Sequence, residues 1–248
     1  GRHGTARGEV AGDRGKMRRG DAREVPGAER CWRKFLNAAR FYEADVIVMG
    51  GDITGKVMVP IVERPDGRYD SNTLGREEVV SRDELNEVEK RIRFSGFYPL
   101  RCDREEYARL AEDEAYRREA FTRLMVDEVR RWVALAEERL EPLVVRCYVM
   151  PGNDDEFAVD AALDSPYVVN PDNAVVRFDG VQMLSCSWTN PTPWDSPPEE
   201  SEGDLSARLG KLAEGPDPDL PTVFNLHFPP GSTQCHTRHT RPRDLWVD

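Results

Sequence analysis

Three short segments of the chain place an oxygen or imidazole side chain directly after an apolar run. Residues 44–56 read ADVIVMGGDITGK, so Asp52 follows a β-branched strand and a Gly-Gly turn. Residues 144–156 read VVRCYVMPGNDDE and contain Asn153, and residues 222–230 read TVFNLHFPP and contain His227. Carboxylate, amide and imidazole groups suit a divalent metal, and ligand-binding groups collect at the carboxyl ends of strands. The pattern therefore predicts that Asp52, Asn153 and His227 share one metal site.

In this order and in these strand contexts, the segments resemble the metal-binding blocks of the calcineurin-like metallophosphoesterases. Gly51-Asp52 matches the Gly-Asp block, residues 152–155 match the Gly-Asn-His-Asp/Glu block, and His227 matches the lone-His block. The resemblance spans about residues 30–230. It implies an α/β fold with a sandwich of two mixed β-sheets flanked by helices. It also implies a hydrolase that uses metal ions to cleave a phosphomonoester or phosphodiester.

The resemblance implies a role for each matched side chain. Asp52 would be the carboxylate that bridges two metal ions, while Asn153 and His227 would bind one of those ions. Asp154 stands where the family has a histidine that assists the phosphoryl group, so Asp154 and its neighbour Asp155 are the candidate catalytic residues. An ionised Asp154 would repel a phosphate instead of stabilising it.

The number of metal ions follows from the ligands that this sequence supplies. The family binds two divalent ions, with Mn, Fe, Zn, Ni or Mg as candidates, but the family's Asp-x-His and Gly-His-x-His blocks are not found here. The sequence thus offers three ligands to one ion and only a bridging carboxylate to the second, which favours one bound ion. His236 and His239 form His-x-x-His, which we interpret as part of a disordered tail.

Two alternatives come from the same residues. Residues 50–56 match the G-x-x-x-x-G-K pattern of a phosphate-binding P-loop, although Val57 replaces the Ser or Thr that would hold Mg²⁺. The missing blocks also fit a non-catalytic scaffold that has kept the fold and lost the chemistry.

Composition narrows the classes of partner. The chain has 248 residues, a net charge of −11 and a pI near 5.0, whereas nucleic-acid binders usually carry a basic patch. Apolar runs stay below the roughly 18 residues that span a membrane, and five scattered cysteines favour reduced thiols. We expect a cytoplasmic protein with a phosphoester substrate, no nucleic-acid surface and no membrane contact.

Periodicity predicts one domain with a tail at each end. Residues 1–27 and 232–248 are expected to be disordered, and residues 28–231 to form the domain, with a helical insertion at about 81–141. Helices are predicted at 30–42, 81–93, 104–140, 157–165 and 200–212, hairpins at 57–69 and 174–187, a loop at 95–99 and a strand at 222–227.

Overall fold

The computed structural model describes residues 28–163, 165–192, 196 and 198–228. The helices of these residues are α1 (Glu29–Phe41), α2 (Leu85–Phe94), α3 (Arg104–Glu112), α4 (Glu114–Leu140) and α5 (Glu202–Ala213), with short 3-10 segments at Arg82–Glu84, Glu141–Leu143 and Phe157–Ala162. The strands are β1 (Val46–Gly50), β2 (Met58–Glu63), β3 (Tyr69–Thr73), β4 (Arg76–Val80), β5 (Tyr98–Cys102), β6 (Arg146–Met150), β7 (Val168–Val169), β8 (Ala174–Phe178), β9 (Val181–Cys186) and β10 (Thr222–Leu226). The two predicted tails, with His236 and His239, lie outside the described residues. None of the described helices combines the length and the apolar character that crossing a membrane requires.

The described strands form three sheets. Sheet one has the order β1-β6-β7 and is wholly parallel, sheet two has the order β10-β9-β8, and sheet three has the order β4-β3-β2-β5. Sheets two and three are mixed, because β9 and β2 each have one parallel and one antiparallel neighbour. The predicted α/β class is confirmed, whereas the expected pair of mixed sheets is replaced by three sheets, one of which is parallel throughout.

Sheet one lies between a helical layer and sheet two. Ile47 packs with α1 and α4 in the largest apolar cluster. Val46 and Val48 point to the opposite face, where they contact a cluster that includes Phe178 and Met183 of sheet two. Successive side chains of a strand point to opposite faces, so a strand covered on both sides is apolar throughout. Helix α5 contacts β9 of sheet two, which completes an α/β sandwich.

Sheet three is built around the segment that the sequence predicts to be a hairpin and a helical insertion. The hairpin is present as β2 and β3, and the Ser81–Glu84 capping box is formed. The loop predicted at 95–99 is present only at residues 95–97, because Tyr98–Cys102 is strand β5 and pairs in parallel with β2. Strand β5 can contain Pro99 because it lies at the edge of the sheet, where a missing backbone N–H is tolerated. The preceding Tyr98 side chain is buried. The insertion therefore adds a strand to the sheet as well as helices.

Helix α4 packs on α1 through two stacked tryptophans and one buried carboxylate. The rings of Trp32 and Trp132 lie 5.5 Å apart, and Trp32 Nε1 donates to the Trp132 carbonyl over 2.8 Å. Glu128 is buried and accepts from Trp132 Nε1 at 2.9 Å and from Arg131 at 2.6 Å. Burial raises the pKa of Glu128, and the opposing effects of Arg131, Arg93 and Trp132 do not cancel this increase.

The raised pKa of Glu128 predicts a pH dependence of stability. Because the folded protein holds this proton more tightly than the unfolded chain, the free energy of unfolding contributed by Glu128 falls as pH rises from the ordinary glutamate pKa to the raised one. Glu128→Gln cannot titrate, so its stability relative to the natural protein should increase with pH across that window. Urea unfolding of both proteins between about pH 4 and pH 7 measures the difference. A difference that is flat or falls with pH would contradict the raised pKa.

Candidate metal centre

The structure brings together all three side chains that the sequence assigns to a metal. His227 Nε2 lies 3.0 Å from Asn153 Oδ1 and 3.2 Å from Asp52 Oδ1. Asp52 follows β1, Asn153 follows β6 and His227 follows β10. Oxygens from two strand ends therefore lie within 3.2 Å of one imidazole nitrogen at a third strand end.

Strand register explains why these ends meet. Strands β1 and β6 are parallel neighbours with Gly50 opposite Met150, so the loops that follow them leave the sheet at the same edge. Strand β10 approaches that edge from sheet two, where His227 Nδ1 is 3.0 Å from the Gly50 carbonyl oxygen. The backbone N–H of His227 donates to the Cys186 carbonyl over 3.0 Å, which extends the β9–β10 pairing by one residue. The site lies where the edges of two sheets meet.

Two glycines allow the three loops to approach so closely. A Cβ on Gly51 would lie 2.0 Å from His227 Nδ1, and Gly51 has φ +130°. A Cβ on Gly152 would lie 2.2 Å from Asp52 Oδ1 and 2.4 Å from the Asp52 backbone nitrogen. Asp52 itself is left-handed, with φ 50°, a conformation that aspartate tolerates better than most residues. This backbone path turns the Asp52 carboxylate back toward His227.

Asp155 holds the β1 and β6 loops against each other. Its side chain is buried, and Oδ2 accepts from the backbone N–H of Gly152 at 2.7 Å and of Ile53 at 3.0 Å. Oδ1 accepts from the Thr54 backbone N–H at 2.9 Å and from its hydroxyl at 2.6 Å. Both carboxylate oxygens are thus occupied by donors of the protein. We therefore assign Asp155 a positioning role and keep Asp154 alone as the candidate for contact with substrate.

A second support for the β1 loop comes from strand β5. The Gly55 backbone N–H donates to the Tyr98 hydroxyl over 2.7 Å, and a Cβ on Gly55 would lie 2.1 Å from the Gly96 carbonyl oxygen. Burial raises the pKa of Tyr98, which keeps the phenol neutral. The sequence gives no local indication of this contact, because it depends on β5 lying beside β2.

Asp52 and His227 influence each other's protonation. Burial raises the pKa of Asp52, but the hydrogen bond and charge of His227, with smaller contributions from the Asp154 N–H and Lys56, outweigh it and lower that pKa overall. Burial lowers the pKa of His227, and the Asp52 carboxylate outweighs it and raises that pKa overall. The pair therefore favours an ionised Asp52 carboxylate beside a protonated, positively charged His227 imidazole.

The donor set fits a small divalent cation. His227 Nδ1 is directed at the Gly50 carbonyl, as a histidine ligand typically donates its second N–H to a backbone oxygen. Nε2 then faces the oxygens of Asn153 and Asp52 at 3.0 and 3.2 Å. Adjacent ligands of an octahedral ion with bonds of about 2.1 Å are about 3.0 Å apart. Asp52, Asn153 and His227 would hold the ion, with one charge and two neutral donors once the His227 imidazole has lost its Nε2 proton.

Asp154 and Lys56 lie at the solvent side of these ligands. The Asp154 backbone N–H donates to Asp52 Oδ1 over 3.2 Å, while its side chain is 44% exposed. Lys56 Nζ lies 3.4 Å from Asp154 Oδ2 and also donates to the Asp154 carbonyl. Ser196 is 3.5 Å from Asn153 Nδ2 on the other side of the site. In the sequence, Lys56 belongs only to the P-loop pattern, and no local pattern connects it with Asp154.

Comparisons with known proteins assign no family to this chain, so the candidate site is described from its geometry alone. Models of known protein families, curated protein sequences and solved structures gave no match to this chain. Within the described part of the chain, three or more His, Cys, Asp or Glu side chains never group in a way that could hold a metal ion, and here the third donor is the amide of Asn153. The P-loop alternative is disfavoured, because a P-loop opens a helix, whereas residues 50–56 lead into strand β2.

Proposed function

We propose that this protein binds a divalent metal ion through Asp52, Asn153 and His227 and uses it to hydrolyse a phosphomonoester or phosphodiester. The proposal rests on the approach of Asn153 Oδ1 and Asp52 Oδ1 to His227 Nε2, at 3.0 and 3.2 Å. The order of the blocks along the chain supports the phosphoester class by resemblance to calcineurin-like metallophosphoesterases.

The surrounding residues prepare the ligands for this task. Asp155 and Tyr98 fix the loop that carries Asp52, so the carboxylate is oriented before a metal arrives. The Gly50 carbonyl orients the His227 ring through Nδ1. A bound divalent ion would supply positive charge to phosphoryl oxygens and lower the pKa of a bound water. The chain itself contributes position, one negative charge and a solvent-facing entrance beside Asp154.

One ion per chain is the expected stoichiometry. The Asn153 and Asp52 oxygens both lie within 3.2 Å of His227 Nε2, and Asp52 Oδ1 also accepts from the Asp154 N–H. A second ion would have to rely chiefly on the other oxygen of Asp52. The proposed reaction is therefore slower than in an enzyme with two fully coordinated ions, because the attacking water lacks a second activating charge.

Metal binding by variants tests the proposal. Isothermal titration of the 248-residue chain with Mn²⁺ should give about one site. Asp52→Asn and His227→Ala should each weaken Mn²⁺ at least ~10-fold, since each removes a direct ligand. Asp179→Asn is the matched control, because Asp179 is also left-handed, with φ 48°, but lies in the β8–β9 turn. Hydrolysis of bis(p-nitrophenyl) phosphate should appear with Mn²⁺ and vanish with Asp52→Asn.

The non-catalytic scaffold remains the competing function. It predicts that Mn²⁺ binding and phosphodiester hydrolysis are equal in the natural chain, Asp52→Asn and Asp179→Asn. Metal binding without turnover would keep the metal site and remove the hydrolase part of the proposal. Absence of metal binding would remove both.

A further inference from the structure

We propose that Lys56 binds the phosphate group of the substrate in this site and that the Asp154 carboxylate competes with that phosphate for the Lys56 ammonium. The inference rests on the proposed function, and it assigns a residue that the family's metal-binding blocks do not include. It also gives a role to Asp154, which stands where the family has histidine and would repel a phosphate.

The backbone of Asp154 connects Lys56 to the metal ligands. On one side, the Asp154 N–H donates to Asp52 Oδ1 over 3.2 Å. On the other side, the Asp154 carbonyl accepts from Lys56 Nζ. This path keeps the ammonium nitrogen within about 9 Å of Asp52 Oδ1. Lys56 Nζ and the Asp52 carboxylate therefore bind the backbone of the same residue, Asp154.

Lys56 is held in place but still has capacity to bind an anion. Its ammonium carries three N–H donors; one is donated to the Asp154 carbonyl, and the ammonium forms an ion pair with Asp154 Oδ2 over 3.4 Å. The Lys56 and Asp154 side chains are both 44% exposed, so a substrate can reach the pair from solvent.

The loop geometry explains why a lysine four residues after Asp52 faces the site. The left-handed Asp52 and the Gly55 contact with Tyr98 fold residues 51–56 back over the β6 loop. Asp155 fixes the middle of the same loop through Ile53 and Thr54. Lys56 consequently follows a loop segment that several hydrogen bonds hold, while its own side chain is 44% exposed and can be reached by a phosphate oxygen.

The carboxylate of Asp154 opposes phosphate in two ways. It competes for the Lys56 ammonium across 3.4 Å, and it adds a negative charge beside the incoming anion. Removing the Lys56 charge should therefore weaken phosphate binding, while neutralising Asp154 should strengthen it. Two substitutions with opposite expected signs distinguish this arrangement from an ordinary surface ion pair.

The experiment measures binding of inorganic phosphate to the full chain saturated with Mn²⁺, after Mn²⁺ affinity has been measured separately for each variant. Lys56→Ala should weaken phosphate at least ~10-fold with Mn²⁺ affinity changed less than about threefold, since one charge-assisted hydrogen bond is lost. Lys56→Arg should retain most of the affinity, and Asp154→Asn should increase it several-fold. Lys90→Ala is the control, because Lys90 also pairs with a carboxylate, Glu87 at 2.6 Å, but lies on α2.

The outcomes separate the two proposals. If Mn²⁺ binds and Lys56→Ala leaves phosphate affinity at the Lys90→Ala value, the Lys56 assignment is overturned and the proposed function stands. If Asp154→Asn weakens phosphate, Asp154 is not a competitor and the assignment is likewise overturned. If the natural chain binds no Mn²⁺, the proposed function fails and the role of Lys56 fails with it.

Discussion

Asp155→Ala should destabilise the protein by about 4 kcal/mol or more, the largest effect expected of a single substitution near the site. The change removes the acceptor of four hydrogen bonds, from the backbone N–H groups of Ile53, Thr54 and Gly152 and from the Thr54 hydroxyl. Asp155 is 2% exposed and Thr54 0%, so water cannot easily replace the carboxylate. Buried donors without an acceptor each cost about 1–3 kcal/mol.

Urea unfolding of two further variants tests whether the loss comes from these hydrogen bonds. Asp155→Asn keeps the volume and one carbonyl oxygen but turns an NH₂ group toward two donors, so about half of the loss should remain. Asp154→Ala changes the neighbouring carboxylate, which is 44% exposed, and should alter the free energy of unfolding by less than about 1 kcal/mol. Similar stabilities for Asp155→Ala and Asp154→Ala would show that the buried carboxylate does not hold the loops together.

The candidate site could be predicted from sequence because its residues stand directly after strands. An apolar strand followed by glycine and a polar side chain is a local pattern, and parallel neighbours bring such ends to one edge. Asp52, Asn153 and His227 each belong to such a pattern. In the structure, Asn153 Oδ1 and Asp52 Oδ1 lie 3.0 and 3.2 Å from His227 Nε2. The α/β class followed from the same strands.

The distinction between Asp154 and Asp155 could not be predicted in this way. The two residues are adjacent and chemically identical, and the contacts that distinguish them are made chiefly with residues about a hundred positions earlier. One carboxylate is buried under Ile53 and Thr54, while the other meets Lys56 at the surface. Strand β5 was missed for a related reason, since Pro99 is typical of loops and only pairing with β2 makes Tyr98–Cys102 a strand.

Gly152→Ala should disrupt the metal site and destabilise the protein by about 2–4 kcal/mol, although it adds only one methyl group. The new Cβ would lie 2.4 Å from the Asp52 backbone nitrogen and 2.7 Å from His227 Cε1, as well as 2.2 Å from Asp52 Oδ1. A side chain alone could rotate away, but the backbone nitrogen moves only if the β1 loop moves. The β1 loop would then separate from the β6 loop, and Mn²⁺ affinity should fall together with stability.

Gly210→Ala provides the matched control for the added methyl group. Gly210 lies within helix α5, and a Cβ there meets no heavy atom within 4 Å. Alanine is favoured over glycine in a helix by about 1 kcal/mol, so this variant should be more stable than the natural protein and should bind Mn²⁺ equally well. The same added methyl group is thus expected to lower the stability of the protein at position 152 and to raise it at position 210. If Gly152→Ala retained Mn²⁺ affinity and stability within the range of Gly210→Ala, the close approach of the β1, β6 and β10 loops would be wrong, and the shared site of Asp52, Asn153 and His227 would be wrong with it.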